Sequence, residues 1–452
     1  MFDLIIRNGT IIDGTGSPRF RADVGVCKDR IEAVESLAGI KARKVIDAKG
    51  KIVCPGIIDP HSHADLTIYR KDHARTLEPL VRQGITTFIG GNCGMSMAPI
   101  GENGHIDDIR LYLEAFTAKN FDTEIKWHGM AGFMETIERH GPLLNVGLLA
   151  PHGLIRIDAM GRQNRYATDD EIKQMKFLLE ECMEAGALGM STGLQYQPGL
   201  QSNTRELLEL GSVLKKHDGI YASHLRSYMN TLPEAIDELI HIVRANGIRA
   251  QISHIFWVPD MGAAAPLFHR VMRGLINLSK YWTPPLPLDM EIARHLEKID
   301  LLRNRGVHIG VDVMPTTTSF THLFAFFPPW AIEGTKEEVK ARIADPVKRK
   351  EILRDIQHGD MKWPHTGRNS WSLNLIKILG WDYLRVMSVV SEKNKQFEGK
   401  SLPEIAELWG KEPFDCLCDL LIEEDGRVLV FESLGEPEDG LTERTMFAAL
   451  KH

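Results

Sequence analysis

Residues 55–65, which read PGIIDPHSHAD, contain the pattern on which the expected fold and chemistry of this chain depend. The apolar pair Ile57-Ile58 predicts a short strand, and the strand runs directly into His61-Ser62-His63. Side chains two positions apart on an extended strand point to the same face, so both imidazoles can reach one metal ion. A lone His-x-His often arises by chance, so its meaning depends on the residues that the rest of the chain places beside it.

A regular alternation of strands and helices follows this segment. Amphipathic helices are predicted at 169–185, 204–217 and 233–246, each beginning after a capping residue or a proline. Strands are predicted at 57–59, 86–89, 146–149, 188–191, 220–223, 250–253 and 307–311. This alternation predicts a parallel sheet, and seven strands within about 260 residues favour a TIM-like (β/α)8 barrel.

Two regions differ from this alternation. Residues 1–55 read as short strands with turns between them, such as Leu4-Ile5-Ile6 followed by Asn8-Gly9, and predict a small antiparallel β module. Residues 56–452 are expected to form the barrel, with insertions near 256–300 and 315–390. Long insertions after barrel strands often cover an active site, but an accessory packing role for 256–300 is equally compatible with the sequence.

Composition and charge narrow the class of protein. The formal net charge is −7, with 61 acidic and 54 basic residues, so no basic stripe indicates nucleic acid as a partner. Six scattered cysteines do not suggest a disulfide framework, and Cys416 and Cys418 read as helix residues. The first residues lack the pattern of a signal peptide, and no apolar run reaches membrane-spanning length. These features predict a cytoplasmic protein that contacts neither membrane nor nucleic acid.

Three further candidate metal ligands follow predicted strands. Cys93 lies in Gly91-Asn92-Cys93-Gly94, His224 ends one strand, and His254 ends the next strand. Barrel active sites are built at the C-terminal ends of the strands, so these residues are expected to meet His61 and His63 there. Each alone reads equally well as a buried core residue, and their shared position favours a metal site.

The ligand types favour zinc as the cofactor. Imidazole and thiolate groups suit Zn²⁺, and five ligands exceed the three usual for one catalytic zinc ion. Either the site holds two metal ions with the Cys93 thiolate bridging them, or some of the five do not bind metal. A bound zinc ion lowers the pKa of water to about 7 and polarises a carbonyl, which predicts a hydrolase.

Four segments resemble the amidohydrolase superfamily, and specifically its N-acyl-D-amino-acid deacylase (D-aminoacylase) branch. They are the opening at 8–16, the motif at 55–65, the segment 83–96 that includes Cys93, and the segment 189–199. The resemblance covers nearly the whole chain. Segment 83–96 is the most branch-specific of the four, because many members of the superfamily bridge their metals with a carboxylated lysine.

The resemblance implies roles for individual residues. Cys93, His224 and His254 would hold a tight zinc ion, and His61 and His63 a second, weaker one. Tyr196 matches a substrate-contacting tyrosine that would bind the carboxylate of the amino acid, although a packing role at the barrel mouth is equally compatible. His152 ends the third strand, where either a substrate contact or a structural hydrogen bond fits.

The chain departs from the branch in four ways. Ala64 replaces an aspartate, and Phe256 replaces a lysine that helps to hold the substrate carboxylate. The segment from 254 to 312 is longer than usual. The catalytic aspartate of the branch follows a helix that matches the end of this chain, so it is expected beyond His452 together with strands that complete the β module. Asp312 and Glu432 are substitutes for it by position alone, and no catalytic residue is assigned.

Three functions remain compatible with the motifs and their chemistry. The first is a zinc-dependent hydrolase that deacylates N-acyl-D-amino acids, with a small-molecule amide as its partner. The second keeps the chemistry but acts on a cyclic or carbamoyl amide without a free α-carboxylate, which Phe256 motivates. The third is a catalytically impaired ligand-binding barrel. The sequence leaves a homo-oligomer open.

Overall fold

The computed structural model describes residues 1–101, 105–117, 125–258, 267, 270–271, 274–275, 278, 281–282, 289–316, 318–359, 362–367, 371, 374–433 and 447–452. The chain divides into two compact units. The first comprises Met1–Asp59 and Pro79–Thr87, and the second Pro60–Glu78 and Phe88–His452. Among the described residues, no helix combines the length and apolar character needed to cross a membrane.

The strands and helices follow the predicted alternation. The strands are β1 Phe2–Ile11, β2 Phe20–Cys27, β3 Arg30–Glu35, β4 Ala42–Asp47, β5 Ile52–Val53, β6 Ile57–Asp59, β7 Ile85–Gly90, β8 Asn145–Leu148, β9 Ala150–Pro151, β10 Gly189–Gly193, β11 Ile220–His224, β12 Arg249–Ile252, β13 Ile309–Val311, β14 Thr318–His322, β15 Leu384–Ser388 and β16 Leu429–Ser433. The described α-helices are α1 Asp65–Ile68, α2 His73–Arg82, α3 Ile106–Thr117, α4 Gly129–His140, α5 His152–Met160, α6 Asp169–Glu184, α7 Thr204–Lys216, α8 Leu232–Asn246, α9 Met290–Arg303, α10 Lys336–Ala344, α11 Pro346–His358, α12 Leu375–Leu379, α13 Leu402–Trp409 and α14 Pro413–Glu423.

The first unit contains the predicted β module. Strands β1, β2 and β3 pair antiparallel, as predicted, and β4 and β5 add to β1 in parallel. One detail of the prediction was wrong, because Asn8-Gly9 lies inside β1 as a bulge and does not separate two strands. Asn8 has a left-handed φ of 63°, and its amide N–H donates to Asp23 Oδ1 at 2.8 Å. This side-chain acceptor replaces the strand partner that the bulge removes.

The second unit contains a five-stranded parallel sheet in the order β13-β12-β11-β10-β9. Its register places Gly193 opposite His224, and Ser223 opposite Ile252, so the C-terminal ends of neighbouring strands lie side by side. Strand β10 is buried along its whole length, as expected for a parallel strand covered on both faces. The sheet therefore brings the residues that follow β10, β11 and β12 to one edge.

Helix signals in the sequence explain the regularity of this unit. Thr168 accepts a hydrogen bond from Glu171 N and forms a capping box at the start of α6, and Asn203 caps α7 in the same way through Glu206 N. Gly247 ends α8 in a left-handed conformation. The three predicted helices and the seven predicted strands were confirmed to within about two residues, a normal uncertainty for element ends.

Residues 315–390 proved more regular than predicted. They contribute β14, α10, α11, α12 and β15, and β14 and β15 pair antiparallel with β16. The aromatic side chains read as part of an irregular insertion are core residues instead, since Phe324, Phe326, Phe327 and Trp330 are 3–4% exposed. They pack against the apolar faces of α10, α11, α13 and α14. The proline and aromatic residues follow one another too closely to show a helix or strand period, so the sequence did not predict this second hydrophobic core.

About half of the other predicted insertion, 256–300, lies outside the described residues. At its edges the structure describes Phe256 and the start of α9, and the choice between a mouth-covering and a packing role stays a prediction. Glu432, one of the two substitute carboxylates, lies in β16 and accepts a hydrogen bond from the Ser319 hydroxyl of β14. Burial raises the pKa of its carboxyl to about 7.

Candidate metal centre

Five predicted ligands meet at the edge of the parallel sheet. His224 ends β11, His254 follows β12, and Cys93 lies in the turn after β7. His61 and His63 come beside them because Ser62 N donates to Ile89 O, at the end of β7, at 3.0 Å. Two overlapping groups result, His61–His63–Cys93 and Cys93–His224–His254. In each group the candidate ligand atoms lie within 4.8 Å of one another.

Cys93 is the residue common to both groups. Its sulfur lies 3.2 Å from His61 Nε2 and 3.5 Å from His254 Nε2. The rings of His224 and His254 meet edge to face with centroids 4.5 Å apart, and Cys93 is 4% exposed. One thiolate at this position faces both imidazole sets, as a bridging ligand must.

The backbone that presents Cys93 and His254 is strained. Both residues have left-handed φ angles, 54° for Cys93 and 33° for His254. Such conformations in residues other than glycine cost about 1–3 kcal/mol and concentrate at functional sites. Gly91 makes the turn fit, because a Cβ atom there would lie 2.1 Å from Leu149 O. The turn therefore aims the thiol at the histidines at a cost in folding free energy.

The electrostatics of the cluster favour a thiolate and a bound positive charge. Burial opposes ionisation of the Cys93 thiol, but His61 and His254 lower its pKa well below the ordinary value of 9.0. Burial alone would lower the pKa of His61, yet the Cys93 thiolate and Asp312 raise it to about 11. His224 is different, since burial and then His254 lower its pKa to about 4 and keep the ring neutral.

Asp312 joins this cluster from the end of β13. Its Oδ1 lies 3.2 Å from His61 Nδ1 and accepts a hydrogen bond from His254 N at 2.6 Å, while its Oδ2 accepts one from Gln251 Nε2 at 2.9 Å. One carboxylate thus orients two of the five predicted ligands. By sequence it was only a substitute for the catalytic aspartate on position, and nothing in the motif pattern links it to His61.

The residues present fit a zinc ion. A thiolate and several imidazoles within 4.8 Å form the donor set that zinc prefers. The Nδ1 atoms of His63 and His254 are buried without a hydrogen-bond partner in the described part of the chain. The proton held by His61 places a positive charge beside the thiolate, and a metal cation would supply the same charge.

Tyr196 and Gln195 lie beside the cluster. The Tyr196 hydroxyl donates to Cys93 O at 2.6 Å, and its ring meets His224 with centroids 5.1 Å apart. Gln195 Oε1 lies 2.7 Å from His224 Nε2 and accepts its proton, which leaves Nδ1 as the ring's free lone pair. Motif resemblance identified Tyr196, whereas Gln195 was missed although it precedes Tyr196 directly.

Tyr228 and Phe256 form an aromatic wall on the other side of His254. Their rings stack with centroids 4.6 Å apart and an interplanar angle of 9°. The Tyr228 hydroxyl donates to Ser253 O at 2.8 Å, and its ring lies 5.2 Å from that of His224. The position where the resemblance predicts a cation therefore presents an apolar ring.

His152, for which a substrate contact was one expectation, is a structural residue. It is fully buried, and its Nε2 lies 2.7 Å from Glu206 Oε1. Arg156, also fully buried, places its Nε 3.1 Å from the same oxygen. This buried trio joins the start of α5 to the start of α7.

The parallel strands and the cluster of candidate ligands at their C-terminal ends define the class of protein, a TIM-barrel type with histidines and a cysteine that could hold a metal ion. A family model described as the amidohydrolase family matches residues 44–345, more than half of the chain. The chain belongs to this amidohydrolase family.

Two relatives come from Alcaligenes xylosoxydans xylosoxydans. A D-aminoacylase is 34% identical over 286 residues, which are 62% of this chain and 57% of the relative. An N-acyl-D-glutamate deacylase is 33% identical over 321 residues, which are 71% of this chain and 58% of the relative. The chain thus spans little more than half the length of these relatives.

Solved structures agree with the fold. An N-acyl-D-glutamate deacylase from Bordetella bronchiseptica, in complex with zinc and a phosphonate inhibitor, superposes with a TM-score of 0.68. It is 25% identical, and the match covers 99% of this chain and 74% of that protein. A D-aminoacylase structure gives a TM-score of 0.64 at 23% identity, covering 98% of this chain and 73% of its own, and supports the fold alone.

Proposed function

We propose that this chain carries the metal centre of a zinc-dependent amide hydrolase that deacylates N-acyl-D-amino acids. The observation that carries the proposal is the buried Cys93 side chain shared by two groups of histidines, which lower the pKa of its thiol. Its support comes from the similarity to a D-aminoacylase and to an N-acyl-D-glutamate deacylase whose structure contains zinc. The domain division at residue 55, the ligand roles and Tyr196 as a substrate contact are part of this proposal.

The proposed ligands divide into two sets. Cys93, His224 and His254 would hold the tighter zinc ion, and His61 and His63, with Cys93 bridging, a weaker one. Bound zinc supplies Lewis acidity, which lowers the pKa of water to about 7 and polarises an amide carbonyl. A neutral His224 and an ionised Cys93 are already in the protonation states that metal binding needs.

The remaining residues orient this centre. Asp312 Oδ1 pairs with His61 Nδ1 at 3.2 Å, with His61 Nε2 on the side of the sulfur, and its hydrogen bond from His254 N supports the strained backbone there. Gln195 fixes the tautomer of His224. Tyr196 is held by Cys93 O with its ring against His224, so substrate contact would come from the ring face or from an exchanged hydroxyl hydrogen bond.

A substrate panel tests the proposed function. We expect the zinc-supplemented protein, assayed together with the catalytic aspartate that the resemblance implies, to release free amine from N-acetyl-D-leucine at least about tenfold faster than from the L enantiomer, with loss of turnover after chelation. The expected ratio corresponds to a difference of about 1.4 kcal/mol between transition states. Amine release is measured by a fluorogenic amine assay. A ligand-binding barrel without turnover would release no amine from any member of the panel.

One observation favours a second candidate function. The stacked Tyr228–Phe256 wall presents aromatic carbon beside His254 and supplies no cation for a carboxylate. A cyclic or carbamoyl amide would suit that surface. Inclusion of a hydantoin and of N-carbamoyl-leucinamide in the same panel separates the two candidates, because only the second predicts faster turnover of these amides than of N-acetyl-D-leucine. Ring opening of the hydantoin releases no amine, so its N-carbamoyl product is measured by chromatography.

Asp312→Asn should lower zinc affinity about 10–100-fold, the usual cost of losing a carboxylate that orients a metal ligand. With its amide oxygen at the Oδ1 position, the variant would still accept from His254 N and face His61 Nδ1, but the negative charge beside His61 would be lost and the N–H₂ group would face the Gln251 Nε2 donor. Competition with a chromophoric chelator measures the change in affinity.

Glu432→Gln is the matched control for this substitution, because Glu432 was the other strand-end carboxylate of interest and its hydrogen bond is to Ser319. We expect it to leave zinc affinity unchanged. Equal affinities for the wild-type chain and Asp312→Asn would show that Asp312 does not support the centre.

A further inference from the structure

A small cavity lies next to the metal cluster on the side of Tyr196. Three of its lining residues reach the cluster: Tyr196 donates to Cys93 O, Tyr112 to Gly94 O at 3.3 Å, and Gln195 meets His224. Its volume is about 30 Å³, room for about two water-sized groups. The two oxygens of a carboxylate have this size.

Arg162 supplies a buried positive charge to the lining of this cavity. It is 6% exposed, and its guanidinium donates to Ile332 O at 2.8 Å and to Gly334 O at 3.3 Å. Among the residues that the structure describes, none forms an ion pair with it. The carboxylate that influences its charge, Asp108, lies beyond ion-pair distance and has His105 Nδ1 at 3.3 Å.

Unused hydrogen-bonding groups surround this charge. A guanidinium has five N–H donors, and two carbonyl oxygens leave Nε and others of Arg162 free. The indole N–H of Trp371, 3% exposed, also lacks a partner in the described part of the chain. A buried donor without a partner destabilises the folded chain, so a ligand whose oxygens accept from these N–H groups is favoured.

The unpaired positive charge of Arg162 affects the pKa of a neighbouring residue. Burial and then Arg162 lower the pKa of His322 to about 4, so this lining residue is neutral. Burial lowers the pKa of Arg162 itself only to about 10, so it stays charged at neutral pH. The cavity thus combines one unpaired cation, a neutral imidazole and an indole donor, a combination that suits an anion.

We propose that this cavity is a carboxylate-binding subsite, in which Arg162 receives the carboxylate of an acyl amino acid whose amide lies at the Cys93 cluster. The inference rests on the proposed function and deepens it, because it names the charge that the substrate carries and the residue that binds the charged group. The carboxylate can belong to the amino acid or to the acyl group. Both sources share the chemistry that a guanidinium recognises.

Calorimetric binding tests the subsite without turnover. The full chain is titrated, both metal-free and zinc-supplemented, with N-acetyl-D-leucine, N-acetyl-D-leucinamide and N-succinyl-D-leucinamide. We expect a carboxylate ligand to bind at least about tenfold more tightly than the neutral amide, since hydrogen bonds to charged groups are the strong ones. Preference for acetyl-leucine assigns the amino-acid carboxylate, and preference for the succinyl amide assigns the acyl carboxylate.

Arg162→Gln should remove this preference. Arg162→Lys should retain part of it, because lysine keeps the positive charge but lacks the planar set of N–H donors of a guanidinium. Arg342→Gln is the matched control. Arg342 also donates to carbonyls of the same segment, Ala331 O and Glu333 O, but it is outside the cavity lining. We expect it to keep the wild-type preference.

Several results would overturn the subsite. They are equal binding of acid and amide by the wild-type chain, no binding of either in both metal states, and an unchanged preference in Arg162→Gln. Failure of the proposed function is distinguishable from these. Amine release without dependence on Arg162 removes the subsite alone, whereas a carboxylate preference lost in Arg162→Gln without any amine release removes the hydrolase alone.

Discussion

Cys93→Ser should lose its zinc and its turnover together. A structural zinc site with four ligands binds with about 10–16 kcal/mol, so one ligand contributes about 3 kcal/mol and a hundredfold or more in affinity. The effect here should be at the upper end, because Cys93 belongs to both ligand groups and is the one thiolate among them. A serine hydroxyl keeps its proton near neutral pH and does not replace the thiolate. Metal content after dialysis and amine release from N-acetyl-D-leucine measure the two losses.

Cys182→Ser is the matched control for this substitution. Cys182 is a buried thiol in α6, 1% exposed, and burial raises its pKa to about 12, so it stays protonated. Its substitution should affect the free energy of unfolding and leave the zinc content per folded chain unchanged. Retention of zinc and activity by Cys93→Ser, in a chain that folds like the control, would refute the assignment of Cys93.

Glu206→Gln should reduce the free energy of unfolding by about 3–5 kcal/mol. The substitution leaves the fully buried guanidinium of Arg156 without its carboxylate, and breaking a buried pair from one side carries a cost of this size. The pKa of Glu206 bears on the pH dependence: burial would raise it, but Arg156 and His152 lower it below 4.5. The stabilisation is therefore present above pH 4.5, and it is lost as pH falls through the lowered folded-state value. Urea unfolding at pH 7 and at acidic pH measures both effects.

Glu209→Gln controls for removal of a carboxylate from the same helix, α7. Glu209 pairs with Lys176 at 2.8 Å on the surface, with side chains 46% and 33% exposed. Exposed pairs contribute about 0–1 kcal/mol, so this variant should unfold close to the wild-type midpoint. A similar small loss for Glu206→Gln would mean that Arg156 finds another partner.

Local signals in the sequence were sufficient for the part of the fold that positions the metal cluster. Apolar runs, capping residues and glycines follow the periods of strands and helices, so β10 to β13 and the helices α6 to α8 were predictable from neighbouring residues alone. Cys93, His224 and His254 were predictable as a set because each follows a strand, and parallel strands bring those positions to one edge.

Contacts between residues distant in the chain were not predictable in this way. Asp312 and His61 are separated by a large part of the sequence and follow strands of two different sheets, so only the tertiary structure brings that carboxylate to that ring. The environment of Arg162 was likewise not predictable, because its guanidinium donates a hydrogen bond to Ile332 O, far away in the sequence. His152 followed a strand like the candidate ligands, but its environment is set by Glu206 on another helix. Position at a strand end thus indicates candidates, and the tertiary contacts select among them.

Anomalous diffraction at the zinc edge from crystals of the zinc-supplemented chain tests the proposed metal centre most directly. We predict a peak in the Cys93 cluster, about 2.3 Å from the sulfur and about 2.0–2.1 Å from nitrogen atoms of His224 and His254. A weaker peak between Cys93, His61 and His63 would mark the second ion. No peak within bonding distance of Cys93, from crystals grown with zinc in excess, would contradict the assignment of these residues to a zinc site.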